Sequence, residues 1–247
     1  MIRTYVIVPD IHCSFHDIGY LKLISKIIRH LKTRNQIAGM VQLGDAIDFW
    51  QLSSYDKDPG RVKTVVDDAL TYSAILDQWE DELPKGSEFN QLEGNHEDRL
   101  RRYVWRSAPA IAKLMPNMPT ILKFDERNKR GKVKWRFYPL ANWRACQLGD
   151  VYLHHGHYFN QHVAMGNLAK YRVKLITGHT HRLQYVTDGT IWAASLGHGS
   201  NEVDTSHNPV PTGWQQALAL LHIVNGVGHL EILTVTNGKC CFRGEYL

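Results

Sequence analysis

The chain has 247 residues, 43% of them hydrophobic, with Lys+Arg 29 against Asp+Glu 24 and a formal net charge of +5. That apolar share supports an ordinary buried core and excludes a low-complexity chain, and no run approaches the ~18 apolar residues of a membrane helix. The mild basic excess suits an anionic substrate without requiring one; the short apolar run in "MIRTYVIVPD" is not a signal peptide, and Cys13, Cys146, Cys240 and Cys241 read as reduced thiols of a cytoplasmic protein.

In chain order, segment 3–10 (RTYVIVPD) is β-branched and apolar and ends on Asp10, which predicts a buried strand. Leu and Ile recur at helical spacing over 17–32, predicting an amphipathic helix. A second strand follows over 37–45, then a helix over 62–83 stopped by Pro84, then a third strand over 87–95 and an arginine-rich helix. This alternation predicts a mostly parallel sheet with crossover helices, whose ligand site lies off the carboxyl ends of the strands. Asp10, Asp45 and Asn95 should therefore converge there.

After residue 104 the pattern changes. Segment 108–119 reads as short helical pieces broken by prolines, and 132–140 and 143–156 as antiparallel strands. Segment 171–181 is another strand, 184–195 a hairpin around Asp188-Gly189, and 217–242 three strands with Asn-Gly turns at 225–226 and 237–238. No Pro/Gly/Ser-rich linker divides the chain, so one α/β domain over 1–247 is expected, with two sheets face to face and helices outside. Residues 104–146 are a candidate cap or insertion. Within them, 123–137 is basic with interleaved aromatics and reads as a cap, a dimer contact or a nucleic-acid surface, against a solvated hairpin.

Polar clusters follow the apolar runs at Asp10-Ile11-His12, Gly44-Asp45-Ala46-Ile47-Asp48, Gly94-Asn95-His96-Glu97, His154-His155-Gly156 and Gly178-His179-Thr180-His181. They offer carboxylate, imidazole and amide donors with no thiolate, a mixture suited to Mn, Fe or Zn rather than to a structural Cys-type zinc site. Each His or Asp taken singly has an ordinary structural explanation; their joint order does not.

The series D-x-H, G-D-x-x-D, G-N-H-E, H-G, G-H-x-H resembles that of the calcineurin-like metallophosphoesterase superfamily, in particular its compact bacterial or bacteriophage members. The resemblance runs from residue 10 to 181. It implies a four-layer α/β/β/α sandwich holding two divalent ions, with Mn favoured and Fe, Zn or Ni as alternatives. Asp10, His12 and His181 would hold the first ion, Asn95, His155 and His179 the second, and Asp45 would bridge. A hydroxide between the ions would attack phosphorus in line. His96 would act as general acid, with Asp48 hydrogen-bonded to it to fix its tautomer. His155 is chosen over His154 and His157 because it precedes the glycine. Gly94 would let the backbone turn between strand and helix.

Arg99, Arg102 and Arg106 share one helical stripe, which could track substrate phosphates or form a solvated face neutralised by Glu97 and Asp98. Arg99, nearest the site, is the candidate substrate-binding residue. Phe49-Trp50 would sit at the rim of the site, and His198 stays outside the candidate set. Phe49 stands where protein serine/threonine phosphatases of this superfamily carry an arginine. The expected function is thus a metal-dependent phosphodiesterase on a nucleotide or nucleic-acid substrate, in the cytoplasm (the host's, for a phage protein) and without a membrane partner. The alternatives are a phosphomonoesterase or protein phosphatase, and a non-catalytic scaffold of the same fold.

Overall fold

Alternate residues of the first strand, β1 (Ile2–Val8), face two different cores. Val6 and Val8 pack with the helices, whereas Tyr5 and Ile7 pack against a second sheet. This period of two is what a strand buried on both faces requires. The computed structural model describes residues 2–201 and 213–247.

The first half builds as expected. After β1 come α1 (Ile18–Thr33), β2 (Ile37–Gln42), α2 (Val65–Glu82), β3 (Glu88–Leu92) and α3 (Asp98–Ser107). Asp17 caps α1 by accepting from the Tyr20 N–H, and Thr64 with Asp67 forms a capping box on α2. The rest comprises α4 (Met118–Ile121), α5 (Phe124–Arg130), β4 (Lys134–Tyr138), β5 (Cys146–Leu148), β6 (Val151–His154), α6 (Val163–Tyr171) and β7 (Lys174–Thr177). Then follow β8 (Gln184–Asp188), β9 (Ile191–Ser195), β10 (Ala217–Val224), β11 (Val227–Thr234), β12 (Cys241–Phe242) and β13 (Glu245–Tyr246).

The result is a mixed α/β fold with two large mixed sheets. One has six strands in the order β11-β10-β1-β2-β3-β4, the other five in the order β5-β6-β7-β9-β8. Strands β1 to β4 are parallel, as are β6, β7 and β9. Apolar side chains of α1 and α2 cover one face of the first sheet. Val41, Leu92, Ile176 and Ala194 are among those filling the space between the sheets, and α6 lies against β8 and β9 of the second.

Three features differ from expectation. β4 pairs in parallel with β3, because the helical segment between them forms a crossover rather than a hairpin. The basic stretch 123–137 is therefore a helix plus an edge strand of the main sheet. Helix α6 has no legible apolar stripe in the sequence, since Gly166 and Asn167 interrupt its nine residues. The hairpin at 184–195 and the Asn-Gly turns appear as read, with Asn225 and Asn237 in the left-handed region. The four cysteines are free, and among the described residues no helix is long and apolar enough to cross a membrane.

Leu220 is fully buried on the helix-facing side of β10. Leu220→Ala should lower the unfolding free energy by about 2–5 kcal/mol, read from the midpoint of urea denaturation.

Candidate metal centre

The polar clusters all lie just past the carboxyl ends of parallel strands. Asp10 and His12 follow β1, Asp45 and Asp48 follow β2, and Asn95 and His96 follow β3; His155 follows β6, and His179 and His181 follow β7. The backbone is bent hard there. Asp10, His12, Asp45, His179 and His181 have φ of 36°, 49°, 50°, 76° and 58°, a region that costs a non-glycine residue of order 1 kcal/mol or more. Such strain persists only where surrounding contacts over-determine it.

The hydrogen bonds settle which way the imidazoles point. His155 Nδ1 lies 3.0 Å from the Leu43 carbonyl oxygen, so Nδ1 carries the proton and Nε2 presents a lone pair. That lone pair faces Asn95 Oδ1 at 3.0 Å, His179 Nδ1 at 3.1 Å and Asp45 Oδ2 at 3.2 Å. Likewise His12 Nδ1 donates to Asp48 Oδ2 at 3.0 Å, turning its Nε2 toward His181 Nε2 at 2.9 Å. His181 Nε2 is 3.7 Å from Asp10 Oδ1, and His12 Nε2 is 4.0 Å from Asp45 Oδ2. Among the described residues Asp10 Oδ2 has no hydrogen-bond partner, and neither do His179 Nε2 and His181 Nδ1, the ring nitrogens opposite those that face the cluster. Acceptors crowded around a common point fit a cation, and the ligand atoms of Asp10/His12/His181 and of Asp45/His155/His179 each lie within 4.8 Å of one another. Imidazole, carboxylate and amide oxygen are donors for a first-row divalent ion.

Burial, with the neighbouring Asp45 charge, pushes Asp10 up to about 7. Burial also works against ionisation of Asp45, but His155 and His96 overcome it and hold its carboxyl well below the usual range. His155 resists burial through the Asp45 charge and is pushed up to about 9, whereas burial and the positive His155 take His179 down to about 3. Burial and His12 hold His181 well below the ordinary imidazole value, in its neutral, ligand-competent form. A proton on His155 thus occupies the place a cation would take.

Asp48 joins the cage to His96. Its Oδ2 accepts from His12 Nδ1 at 3.0 Å and from His96 Nδ1 at 3.1 Å. His96 and His12 keep this carboxyl well below the usual range although burial opposes it. Arg99 donates to the Asp48 carbonyl at 2.8 Å and from Nη2 to His96 Nε2 at 3.0 Å. The sequence gives no sign of that last contact.

Glu97 is not a surface neutraliser of arginines: it is buried and ties two loops together. It accepts from the N–H groups of Asp45 (3.0 Å), Ala46 (2.6 Å), Ile47 (2.9 Å) and Gly94 (2.7 Å). Asp98 does pair with Arg101 and, at 3.1 Å, with Arg102. Gly94 serves close approach rather than the turn, since its φ is not left-handed and an added Cβ would meet Asp45 Oδ1 at 2.1 Å.

The mouth of the site is a cavity of about 320 Å³, lined by Trp50, Tyr55, Phe159 and Trp214 with Arg61, Arg99 and Arg182. Trp50 is at the rim as expected, but Phe49 is fully buried in the core beneath it. His198, left out of the candidate set, stacks on His181 with ring centroids 5.0 Å apart, brought there by the loop after β9. His154 points away and bonds the Leu140 carbonyl oxygen at 3.1 Å.

No protein-family model matches the sequence, and no curated protein matches it. Solved structures do match it in fold. Vacuolar Protein Sorting 29 from Cryptosporidium parvum aligns with a TM-score of 0.52 at 11% identity, over 97% of this chain and 94% of that one. A hypothetical protein from Pyrococcus horikoshii aligns with a TM-score of 0.51 at 12% identity, over 94% and 88%. A predicted phosphoesterase from Streptococcus pneumoniae aligns with a TM-score of 0.38 at 13% identity, over 95% and 90%. The chain thus shares its fold with Vacuolar Protein Sorting 29 and the Pyrococcus protein.

Protons on His155 and Asp10 compete with a cation for the same lone pairs. Divalent-ion binding near pH 7 should therefore release protons, and affinity should rise with pH until His155 is neutral above about 9. Calorimetric titration with manganese in two buffers of different ionisation heat measures the release, and Asp45→Ala should lower the ion stoichiometry.

Proposed function

We propose that this chain is a metal-dependent phosphoesterase. Asp10, His12 and His181 would hold one divalent ion, Asn95, His155 and His179 a second, with Asp45 shared between them. One observation carries this: two sets of buried lone pairs converge beside an imidazole, His96, whose Nδ1 is committed to Asp48 and whose Nε2 lies on the side of Arg99. When bound, paired ions supply Lewis-acid charge at a phosphoryl oxygen and lower the pKa of water.

The chain's own residues do the remaining work. Asp48 holds the His96 proton on Nδ1 and so aims Nε2 into the site, from which a proton can pass to the leaving-group oxygen. Arg99, already within reach of that nitrogen, can turn its guanidinium onto a non-bridging phosphate oxygen and leave Nε2 to the leaving group. The aromatic and arginine lining of the mouth suits a nucleotide-bearing substrate, and so favours a diester over a simple monoester. Phe49, in the place of the protein phosphatases' arginine, argues against a phosphoprotein substrate. The Asp48–His96 pair also argues against a purely structural role, because a scaffold needs no proton donor poised beside a cation cage.

His96→Ala should keep its bound manganese by elemental analysis yet lose about 10²–10⁴-fold in kcat. Unaltered kinetics would remove His96 from the chemistry. With manganese added, bis-p-nitrophenyl phosphate should be cleaved with a higher kcat/KM than p-nitrophenyl phosphate. If neither is hydrolysed with any divalent ion, the scaffold alternative stands instead.

A further inference from the structure

Beside the mouth of the site runs a second, larger groove of about 610 Å³, and Tyr55, Asn95, Arg99, Phe159 and His179 line both. The groove follows α3. Arg99, Arg102 and Arg106 line it from the helix, and Tyr55, Trp105 and Phe159 line it as well. These three aromatics are large and solvent-facing, with 73%, 58% and 78% of their surface exposed. Exposed aromatics interleaved with arginines along one channel have no use in the core of this fold. The geometry points to a binding groove for a single-stranded polynucleotide, leading away from the metal centre along α3. This rests on the phosphoesterase proposal above and narrows its substrate to a strand rather than a mononucleotide.

The physical fit has two parts. The stripe from Arg99 to Arg106 spans about 10 Å at 1.5 Å per residue, long enough to meet more than one phosphate of an unpaired strand. Asp98 takes Arg102 Nε at 3.1 Å, and the Asn95 carbonyl takes its Nη2 at 3.1 Å. Those bonds fix the side chain while leaving further guanidinium N–H groups for an anion. Among the described residues Arg106 bonds only back to the Arg102 carbonyl, at 3.4 Å. The aromatics supply the second part. A duplex hides its base faces, whereas an unpaired strand can lay them on Tyr55, Phe159 and the face of Trp105 not covered by Arg101, whose guanidinium sits 5.2 Å from that ring. Phe159 is itself anchored at the site, its ring 3.9 Å from that of His179, so a base stacked there would adjoin the scissile phosphate.

The test is fluorescence anisotropy of the full chain, with manganese, against a labelled dodecamer whose phosphorothioate linkages resist cleavage. The single strand should bind at least tenfold more tightly than the matching duplex or a polyphosphate of equal charge. The double variant Arg102→Gln/Arg106→Gln should reduce the slope of log K against log salt by about 1.4, at about 0.7 for each phosphate contact of a single strand. Trp105→Ala should weaken binding about tenfold with the slope kept, because stacking and charge are separable contributions. An unchanged slope in the double variant, or equal binding of duplex or polyphosphate, overturns the groove. Running the strand as DNA and as RNA tells which sugar is preferred. Because binding is read without turnover, strand binding by a chain that cleaves no phosphate ester would sink the phosphoesterase proposal and leave the groove. Diester hydrolysis without strand binding would do the reverse.

Discussion

Several carboxylates and imidazoles are gathered into one buried pocket where neither charge nor lone pair is solvated. Asp10, Asp45, Asp48 and Glu97 all lie below the surface with His12, His155, His179 and His181 among them. In a medium of low dielectric such a group is costly unless every charge is met. The protein meets part of the cost with backbone donors: Asp10 takes the His179 N–H at 2.9 Å, Asp45 the His96 N–H at 2.9 Å, and Glu97 four N–H groups from two loops. What remains is a set of acceptors turned toward one another. Protons fill that space only partly, and divalent cations fit it.

The rest of the architecture serves this constraint. Parallel strands deliver their loops to one end of the sheets, so residues from five strands can meet without any long loop. Left-handed backbone at Asp10, His12, Asp45, His179 and His181 is the local cost of turning the side chains inward. Glycine at 94 and 178 is required because Asp45 Oδ1 and Asp10 Oδ2 each come within 2.1 Å of where a Cβ would be. The two apolar cores on either face of the first sheet hold the strand ends still enough for such tolerances to matter.

Charge is graded outward from this centre. Acidic groups dominate the floor, His96 and Arg99 form the next layer through Asp48, and Arg61 and Arg182 stand among aromatics at the mouth. An anionic ester would thus meet positive charge before it met the ligand cage. Helix α3 extends that gradient sideways: its first turn places Arg99 at the site, and its later turns carry arginine and tryptophan along the adjoining groove.

The sequence by itself determined the order of the first strands and helices, the strand-end position of each polar cluster, and the convergence of Asp10, Asp45 and Asn95. Hydrophobic periodicity and the abrupt change to polar residues are local signals, and they survive folding unchanged. The Asp48–His96 contact was expected only through the resemblance of the motif series to a known family, and the two side chains do meet at 3.1 Å. Only the tertiary structure decided the rest. The inward turn of Glu97, the contact of Arg99 with His96, the stacking of His198 on His181 and the parallel pairing of β4 each depend on which element passes over another. A glutamate beside arginines reads as a surface ion pair until the two loops around it present four N–H groups to be satisfied. A basic, aromatic strand reads as a hairpin until the crossover before it fixes its direction.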